Sequence, residues 1–440
     1  MNNASYAHQH RKTTSLNPAI TSIYTADPSA HVWEDGRVYI YASHDTDPAR
    51  GCDLMDRYHV FSSPDMVNWR DEGEILSSDD VAWGRPEGGF MWAPDCAYRN
   101  GTYYFYYPHP SGTDWNATWK IGVATSGKPA SGFQDQGYIG GLGGFAMIDP
   151  AVFVDDDNRA YLYYGGGGRC EGGELAEDMM SVKGTMREME GLEDFHEAAW
   201  VFKRNDVYYL TYADNLEGNN RMRYATSRSP LGPWTSRGIF LEPTGCSTTH
   251  GSVTEFKGKW YLFYHNQAVS GEGTLRSVCI DELDFAEDGA ILTVTQTKEG
   301  VKAVGGTTEA IPPADVYAAA DGVLGNGAAL RMLPDGTGTV AGLEAPGAFC
   351  RFNGVDGGAG GRGELRVRYA TAERLAKLRL QVNGKDYSLV NALSTGGEER
   401  FTGITGLTVT LDPGRGNTVS WTGGHGGIAI HSMEVRLLPD

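Results

Sequence analysis

One motif occurs five times in this 440-residue chain, and each copy has the sequence pattern of a β-hairpin. A copy has a short apolar stretch, a polar turn and a second, tyrosine-rich stretch in which apolar and polar residues alternate. The five copies begin at Asp27, Trp92, Asp149, Glu197 and His250. Units of one kind that recur along a chain pack against their neighbours, so the repeat limits the fold to an array of β-units.

The spacing of the turns indicates the kind of array. The turns begin at residues 35, 100, 157, 205 and 257, so they lie 48 to 65 residues apart. This interval is typical of a four-stranded propeller blade with variable loops. We therefore predict an all-β protein in which residues 1–305 form a five-bladed β-propeller, closed by a strand near Ile20 to Tyr24. The alternative is a stack of hairpins in a sandwich, in which the first residues of the copies do not meet.

The rest of the chain has a different composition. The sequence contains 10 Trp, 23 Tyr and 15 Phe residues, yet only seven of these 48 aromatic residues follow residue 315. The stretch AVGGTTEAIPPAD, at residues 303–315, is typical of a linker. Residues 315–440 are predicted to form a second domain, a jelly-roll-like β-sandwich, because short alternating stretches are separated there by Gly, Pro and Asp turns. These stretches are residues 347–355, 363–370, 375–382, 407–411, 417–422 and 428–437.

Charge and composition exclude several classes of function. Lys and Arg number 37 and Asp and Glu 56, so the formal net charge is −19. Such an acidic chain is not expected to bind nucleic acid or an anionic membrane. The first residues lack the apolar core of a secretory signal, which predicts a cytoplasmic protein unless a leader has been removed. The six cysteines show no paired spacing, which indicates reduced thiols rather than disulfides or a zinc site.

The first residues of the five copies suggest a site. Equivalent positions in a radial array face one axis, so we expect Asp27, Trp92, Asp149, Glu197 and His250 to converge. An Asp-Pro pair alone often just begins a loop. Three carboxylates in one register are more specific, because glycoside hydrolysis uses one carboxylic acid to protonate the leaving oxygen and one carboxylate to activate water.

The motifs ADPSAHVW, MWAPD, IDPAVFVDDD, HEAAWVFKRNDVYYLTYAD and HGSV occur in this order between residues 26 and 253. This set resembles glycoside hydrolase family 43. The resemblance implies a five-bladed propeller that hydrolyses α-L-arabinofuranosyl or β-D-xylosyl linkages with inversion. It also implies that Asp27 is the general base, that Glu197 is the general acid, and that Asp149 orients the acid and modulates its pKa.

The resemblance assigns further residues to the site. His250, in the HGS motif, is implied to coordinate a calcium ion in the central channel, with water completing the shell, although a lone histidine is more often a buried core residue. Arg276 matches a family arginine that reaches into the pocket. Its planar guanidinium can donate to sugar hydroxyls or to Asp149, and the alternative is a surface salt bridge. Trp92 is expected to form an aromatic wall for the sugar. Further candidates for this wall are Trp33, Phe90 and Trp115.

We therefore predict an exo-acting α-L-arabinofuranosidase that releases arabinose from arabinoxylan or arabino-oligosaccharides. A β-D-xylosidase acting on xylo-oligosaccharides is the alternative, and one enzyme can do both, because the two sugars share much of their hydroxyl stereochemistry. A non-catalytic sugar-binding propeller would need the aromatic residues but not three carboxylates together. The second domain resembles a family 6 carbohydrate-binding module in its strand pattern. Its aromatic residues lie mostly in strand patterns that suggest core burial, so we expect little affinity for xylan unless binding aromatics lie in its loops.

Overall fold

The computed structural model describes residues 13–49, 51–143, 146–215, 218–305 and 313–439. The first twelve residues and most of the predicted linker therefore lie outside the described residues. The chain divides into two compact units: residues 1–20 with 24–307, and residues 21–23 with 308–440. Within the described residues, no helix is long and apolar enough to cross a membrane.

The first unit contains five antiparallel sheets among its described residues, and in each the strands pair in chain order. The first two sheets are β1 (Thr25–Val32), β2 (Val38–His44), β3 (Arg57–Ser63) and β4 (Arg70–Ser77), then β5 (Asp95–Arg99), β6 (Thr102–Pro110), β7 (Trp119–Ser126) and β8 (Gln134–Tyr138). The third and fourth are β9 (Ala151–Val154), β10 (Ala160–Gly166), β11 (Arg169–Glu174) and β12 (Arg187–Glu188), then β13 (Glu197–Arg204), β14 (Val207–Ala213), β15 (Met222–Ser227) and β16 (Thr235–Leu241). The fifth is β17 (Ser252–Phe256), β18 (Lys259–Asn266) and β19 (Ser277–Glu282). Two 3₁₀ helices, Gly51–Asp53 and Ser78–Asp80, follow β2 and β4.

The first strands of the five sheets form a closed ring. β1 contacts β5, β5 contacts β9, β9 contacts β13, β13 contacts β17, and β17 contacts β1. This arrangement is that of a five-bladed β-propeller, which confirms the predicted fold of this unit.

The predicted closing strand near Ile20 to Tyr24 is wrong. Residues 20–24 have no strand structure, and residues 21–23 group with the second unit. Two backbone hydrogen bonds, one on each side of this segment, attach the N-terminal stretch to the last blade instead. The amide of Ala19 donates to the carbonyl of Val278, and that of Thr25 donates to the carbonyl of Arg276. These bonds link the N-terminal stretch to the last blade, in which the described residues form no regular fourth strand.

Three of the five repeated turns, those that begin at residues 100, 205 and 257, have two successive residues with positive φ. Asn100 and Gly101 have φ of +52° and +84°, and Lys257 and Gly258 have φ of +51° and +80°. Two successive residues with positive φ match the right-handed twist of the flanking strands, which explains why Asn and Gly recur at these positions. The turns therefore fix where each first strand ends and the second begins.

The tyrosine-rich strands pack between the blades. Tyr41, Tyr58 and Tyr107 are buried in one cluster between the first two sheets. A buried phenol needs a partner for its hydroxyl group. Tyr41 and Tyr58 donate to backbone carbonyls, and Tyr107 donates to a carboxylate in β8. Tyr106 Oη likewise donates to the carbonyl of Met179 at 2.8 Å. Such bonds tie the second blade to the third.

The second unit is formed by two antiparallel sheets. The strands are β20 (Asp315–Ala318), β21 (Val323–Gly325), β22 (Ala329–Met332), β23 (Gly338–Ala341), β24 (Phe349–Val355), β25 (Gly361–Ala370), β26 (Leu375–Val382), β27 (Lys385–Leu393), β28 (Gly403–Leu411), β29 (Asn417–His425) and β30 (Ala429–Leu437), with a 3₁₀ helix at Ala319–Asp321. One sheet has the order β22–β23–β30–β25–β28 with β20 also paired to β30, and the other has the order β21–β24–β29–β26–β27. Phe352, Tyr369 and Trp421 are buried, so these aromatic residues belong to the core of the sandwich.

Tyr106→Phe tests the contribution of the hydroxyl bonds between blades. The substitution keeps the ring but leaves a buried carbonyl without its donor, so we expect the free energy of unfolding to fall by about 1 kcal/mol. Urea unfolding followed by tryptophan fluorescence measures the difference. Tyr138→Phe is the matched control, because Tyr138 is 47% exposed and its hydroxyl loss should change little. Equal stability of the two variants would contradict this account.

Candidate active site

Three carboxylates lie where the first strands of three blades begin. Asp27 lies in β1, Asp149 lies two residues before β9, and Glu197 is the first residue of β13. The first strands of a propeller run in one direction along the central axis, so their starts share one end of the channel. The opposite end carries the hairpin turns.

The backbone is irregular at each of these positions. Asp27 and Asp149 both have φ of +52°, and Ala198, which follows Glu197, has φ of +66°. The register of β1 shifts between Ala26 and Ser29, and that of β13 shifts between Glu197 and Trp200. A non-glycine residue in the left-handed region costs of order 1–3 kcal/mol. Bulges at strand starts re-aim side chains. Here Asp27 lies within the bulge of β1, and the bulge of β13 directly follows Glu197.

Asp27 is buried but has strong hydrogen-bond partners. Arg276 Nη1 donates to Oδ1 at 2.8 Å, and Ser43 Oγ donates to Oδ2 at 2.6 Å. The backbone amide of Asp27 donates to His265 Nδ1 at 3.1 Å, and His265 Nε2 lies 2.9 Å from the carbonyl of Thr248. Burial alone would raise the pKa of Asp27, but the charge of Arg276 and the bond from Ser43 hold it below its usual value. Asp27 is therefore ionised at neutral pH.

Arg276 is an interior residue, only 7% exposed, which excludes the surface salt bridge. Its Nε and Nη2 donate to Asp45 at 2.9 Å and 2.8 Å, and its Nη1 donates to both Asp27 and Thr248. The guanidinium of Arg276 thus donates to Asp27 and Asp45. The predicted alternative, in which it donates to Asp149, does not fit these bonds. Arg276 is the counter-ion of the predicted base.

Asp149 and Glu197 form the second part of the site. Asp149 Oδ2 accepts a hydrogen bond from the amide of Ala198 at 2.9 Å, which holds this carboxylate beside the residue after Glu197. Burial, and then the charge of Asp27, raise the pKa of Glu197 to about 7. Burial, and then the charges of Glu197 and Asp27, raise the pKa of Asp149 well above its usual value. The pair formed by Asp149 and Glu197 therefore still holds a proton near neutral pH, whereas Asp27 is ionised.

His250 lies beside the same carboxyl pair. Its Nδ1 is 3.7 Å from Asp149 Oδ2, and burial lowers the pKa of its imidazole, so the ring is neutral. Within the described residues, no three His, Cys, Asp or Glu side chains are grouped closely enough to hold a metal ion. Calcium prefers oxygen ligands, so a calcium ion at His250 would depend on water for most of its shell. The calcium ion stays a prediction, and no catalytic step is assigned to it.

The predicted aromatic residues fall into two places. Phe90, Trp92 and Trp115 form one cluster with Trp119: the rings of Phe90 and Trp115 stack at 5.1 Å, and those of Trp92 and Trp119 lie 4.6 Å apart. This cluster also includes Ile148, which directly precedes Asp149, so it lies beside the carboxylates. Trp115 is 39% exposed and is accessible to a ligand.

Trp33 does not join this cluster, so the structure does not bring this predicted sugar-binding residue together with the other three. It follows the end of β1, next to the hairpin turn, whereas Asp27 lies near the start of that strand. Its ring stacks on His31 at 4.9 Å, and its Nε1 donates to Tyr41 Oη at 3.0 Å. Its ring also lies 5.4 Å from that of Tyr103 in β6, so Trp33 packs between the first two blades.

Sequence reasoning missed several residues of the channel. Asp95 accepts hydrogen bonds from Ser29, His31 and the amide of Val152, so one carboxylate connects three blades. Asp95 is the last residue of the MWAPD motif, of which only Trp92 was predicted to belong to the site. The motif itself could therefore have indicated this carboxylate. Asp45 gave no signal, because it lies outside the repeated hairpins.

Comparison with known proteins gives one family. A family model described as "Glycosyl hydrolases family 43" matches residues 16–291. A xylosidase/arabinosidase of Bacteroides ovatus is 35% identical over 62% of this chain and 95% of that protein. An arabinoxylan arabinofuranohydrolase of Bacillus subtilis (strain 168) is 30% identical over 89% of this chain and 87% of that protein. The solved structure of the GH43_1 enzyme from Xanthomonas citri complexed with xylotriose is 34% identical, with a TM-score of 0.59, over 66% of this chain and 97% of that one.

The coupling between Asp149 and Glu197 is testable by titration. In a coupled pair the last proton leaves at a higher pH than it would from either carboxyl alone. The charge of Glu197 is one of the causes that raise the pKa of Asp149, and this repulsion is mutual. We therefore expect Asp149→Asn to lower the pKa of Glu197 from about 7. ¹³C NMR of carboxyl-labelled glutamate measures it, with the Glu197 signal assigned by its loss in Glu197→Gln. Asp157→Asn, at an exposed hairpin turn, is the control and should leave this signal unchanged. A Glu197 signal that titrates at the same pH in Asp149→Asn would refute the coupling.

Proposed function

Since the chain belongs to glycosyl hydrolase family 43 and is therefore a glycoside hydrolase, we propose that it is an exo-acting, inverting α-L-arabinofuranosidase. Its substrates would be arabinoxylan or arabino-oligosaccharides, from which it releases arabinose. The observation that supports the chemistry best is the opposite displacement of two pKa values within one site: that of Asp27 is lowered, whereas that of Glu197 is raised to about 7.

The two displacements match the two roles that inversion requires. Asp27, ionised at neutral pH, accepts a proton from the water that attacks the anomeric carbon. Glu197, still protonated, donates its proton to the glycosidic oxygen as the bond to the leaving group breaks. The side chain of Glu197 is 17% exposed, which leaves it accessible to a bound sugar. Asp149, bonded to the amide of Ala198, orients this acid and helps it to retain its proton.

The extent of the similarity favours arabinofuranosyl substrates. The match to the arabinoxylan arabinofuranohydrolase of Bacillus subtilis covers 89% of this chain, and so extends beyond the propeller into the second unit. The match to the xylosidase/arabinosidase of Bacteroides ovatus covers 62% of the chain. A relative that shares both units supports the same substrate class here.

A β-D-xylosidase activity on xylo-oligosaccharides is the second candidate. The observation in its favour is the higher identity of the propeller-sized relatives, 35% for the Bacteroides protein and 34% for the Xanthomonas enzyme that was crystallised with xylotriose. The catalytic carboxylates serve both reactions equally, because they act on the anomeric carbon and the leaving oxygen. Discrimination between the two sugars belongs to the residues around the ring, among them the cluster of Phe90, Trp92 and Trp115.

The second unit is not assigned a binding function. Phe352, Tyr369 and Trp421 are buried, and in the described part of this unit no aromatic residue is among the largely exposed hydrophobic side chains. Sugar-binding modules present aromatic faces to pyranose rings, so aromatic side chains buried in the core cannot bind a polysaccharide in this way. Weak affinity for xylan therefore stays our prediction for residues 315–440.

Substrate preference is tested by measuring kcat/KM on p-nitrophenyl α-L-arabinofuranoside and p-nitrophenyl β-D-xyloside side by side. We expect the arabinofuranoside to be preferred, and arabinose to be the product released from arabinoxylan. Proton NMR of the first-formed sugar should show inverted anomeric configuration. A preference for the xyloside, with xylose released from xylotriose, would move the assignment to the second candidate. Retained configuration would refute the mechanism.

The same assay tests the catalytic carboxylates. Asp27→Asn and Glu197→Gln should each lower kcat by roughly 10²–10⁴-fold, because each removes one proton-transfer group while keeping its shape. Glu177→Gln, at an exposed position, is the matched control and should remain fully active. Folded variants of Asp27 or Glu197 with near wild-type activity would show that the site lies elsewhere.

A further inference from the structure

Asp45 lies directly after β2 and is only 2% exposed. Three donors of a single residue converge on its carboxylate. Arg276 Nε and the backbone amide of Arg276 both donate to Oδ2, at 2.9 Å and 2.7 Å, and Arg276 Nη2 donates to Oδ1 at 2.8 Å. Two parallel bonds between a guanidinium and a carboxylate fix both the position and the plane of the cation. Arg276 is therefore oriented by Asp45.

The orientation limits what Arg276 can do to Asp27. With Nε and Nη2 committed to Asp45, Nη1 alone reaches Asp27, at 2.8 Å, and Thr248 shares that nitrogen. A guanidinium facing Asp27 with two parallel bonds would stabilise its charged form further. A carboxylate stabilised so strongly accepts a proton from water less readily, because base strength falls with pKa. Dividing the cation between two carboxylates avoids that loss.

We propose that Asp45 is a positioning residue, which holds Arg276 to a single bond with Asp27 and so preserves the strength of Asp27 as a base. This inference rests on the proposed role of Asp27 as the general base. It assigns to Asp45 no contact with substrate and no proton transfer of its own.

The energetics of the pair argue against a purely stabilising role. Burial raises the pKa of Asp45 even though Arg276 opposes the shift. The ion pair therefore does not fully offset the cost of burying this carboxylate, as is common for buried pairs. A pair that contributes little net stability, next to a catalytic carboxylate, fits a role in chemistry better than one in folding.

Other groups also influence Asp27, and each belongs to a different element. The ionisable groups that face or influence it are Arg276 before β19, His265 in β18, His250 before β17, Cys246 after β16, Asp149 before β9, Glu197 in β13, Tyr58 in β3 and Asp45 after β2. Of these, Asp45 can be neutralised at constant shape without removing Arg276 or any of the three predicted catalytic carboxylates.

The test uses Asp45→Asn in the full chain, assayed on p-nitrophenyl α-L-arabinofuranoside or the xyloside, whichever the enzyme prefers. Without the charge of Asp45, Arg276 has Asp27 as its main counter-ion, and Asp27 becomes a weaker base. We expect kcat at its pH plateau to fall roughly tenfold with KM little changed. The acid limb of kcat/KM should not move to higher pH, because the removal of a negative charge cannot raise the pKa of Asp27.

Azide provides a signature that a structural defect would not. Azide is already an anion, so it can attack the anomeric carbon and displace p-nitrophenol, protonated by Glu197, without giving a proton to Asp27. We expect azide to restore a larger fraction of the rate in Asp45→Asn than in the wild type, with a glycosyl azide as the product. Arg276→Lys is the second variant: its ammonium keeps the charge but cannot form the parallel bonds that hold the cation to Asp45. The cation is then free to move to Asp27, so this variant should show the same loss and the same rescue.

Three results would overturn the inference: an unchanged kcat in Asp45→Asn, an acid limb that moves to higher pH, or a loss that azide does not relieve. The second result would mean that Arg276 moves away from Asp27 when Asp45 is neutralised, so that Asp45 keeps Arg276 beside Asp27 rather than limiting their contact. If Asp45→Asn does not fold, the same outcomes are read from Arg276→Lys.

Asp27→Asn is measured in parallel. Near wild-type activity in that variant would refute the proposed function itself, whereas an inactive, azide-responsive Asp27→Asn with an unaffected Asp45→Asn would refute only the role of Asp45.

Discussion

Removing a carboxylate from water costs several kcal/mol unless a cation accompanies it, and two carboxylates of this site are buried around one guanidinium. Asp27 is 6% and Asp45 2% exposed, and Arg276 is hydrogen bonded to both. Arg276 directly precedes β19 in the fifth blade, whereas Asp27 and Asp45 belong to the first blade. The ion pair therefore joins the two blades between which the propeller closes. Closure of the ring brings Arg276 beside Asp27, so the ionisation of Asp27 depends on the closed ring.

The fold produces two opposite protonation states from similar burial. Asp27 and Glu197 are both shielded from water at the end of the channel, and this burial by itself raises the pKa of each. The difference is the distribution of charge: Arg276 is bonded to Asp27, whereas Glu197 has the charge of Asp27 nearby and only a weaker influence of the same arginine. Left-handed residues and bulges at the starts of β1 and β13 position these side chains, so local strain is balanced by the packing of whole blades.

Much of this arrangement follows from the repeat. Five hairpins with matched first residues predicted a propeller, and their register explains why Asp27, Asp149 and Glu197 lie at one end of it. The pattern does not say which aromatic side chains share that end, and Trp33 lies at the other one. Asp45 lies after a second strand rather than a first, so no periodic signal could reveal it. In the second unit, β27 was missed because its polar residues, such as Ser388 and Asn391, interrupt the alternation that predicts a strand.

The central claim is that Glu197 donates a proton and Asp27 accepts one, and the dependence of rate on the leaving group tests it most directly. A leaving group that is already a weak base needs no proton, so an enzyme without its general acid should still cleave such a glycoside. The measurement compares kcat/KM for a phenyl glycoside and a dinitrophenyl glycoside in Glu197→Gln and Asp27→Asn. The account predicts that Glu197→Gln loses far more activity on the phenyl than on the dinitrophenyl substrate, and that Asp27→Asn loses similar activity on both. Equal losses on both substrates in Glu197→Gln would contradict it.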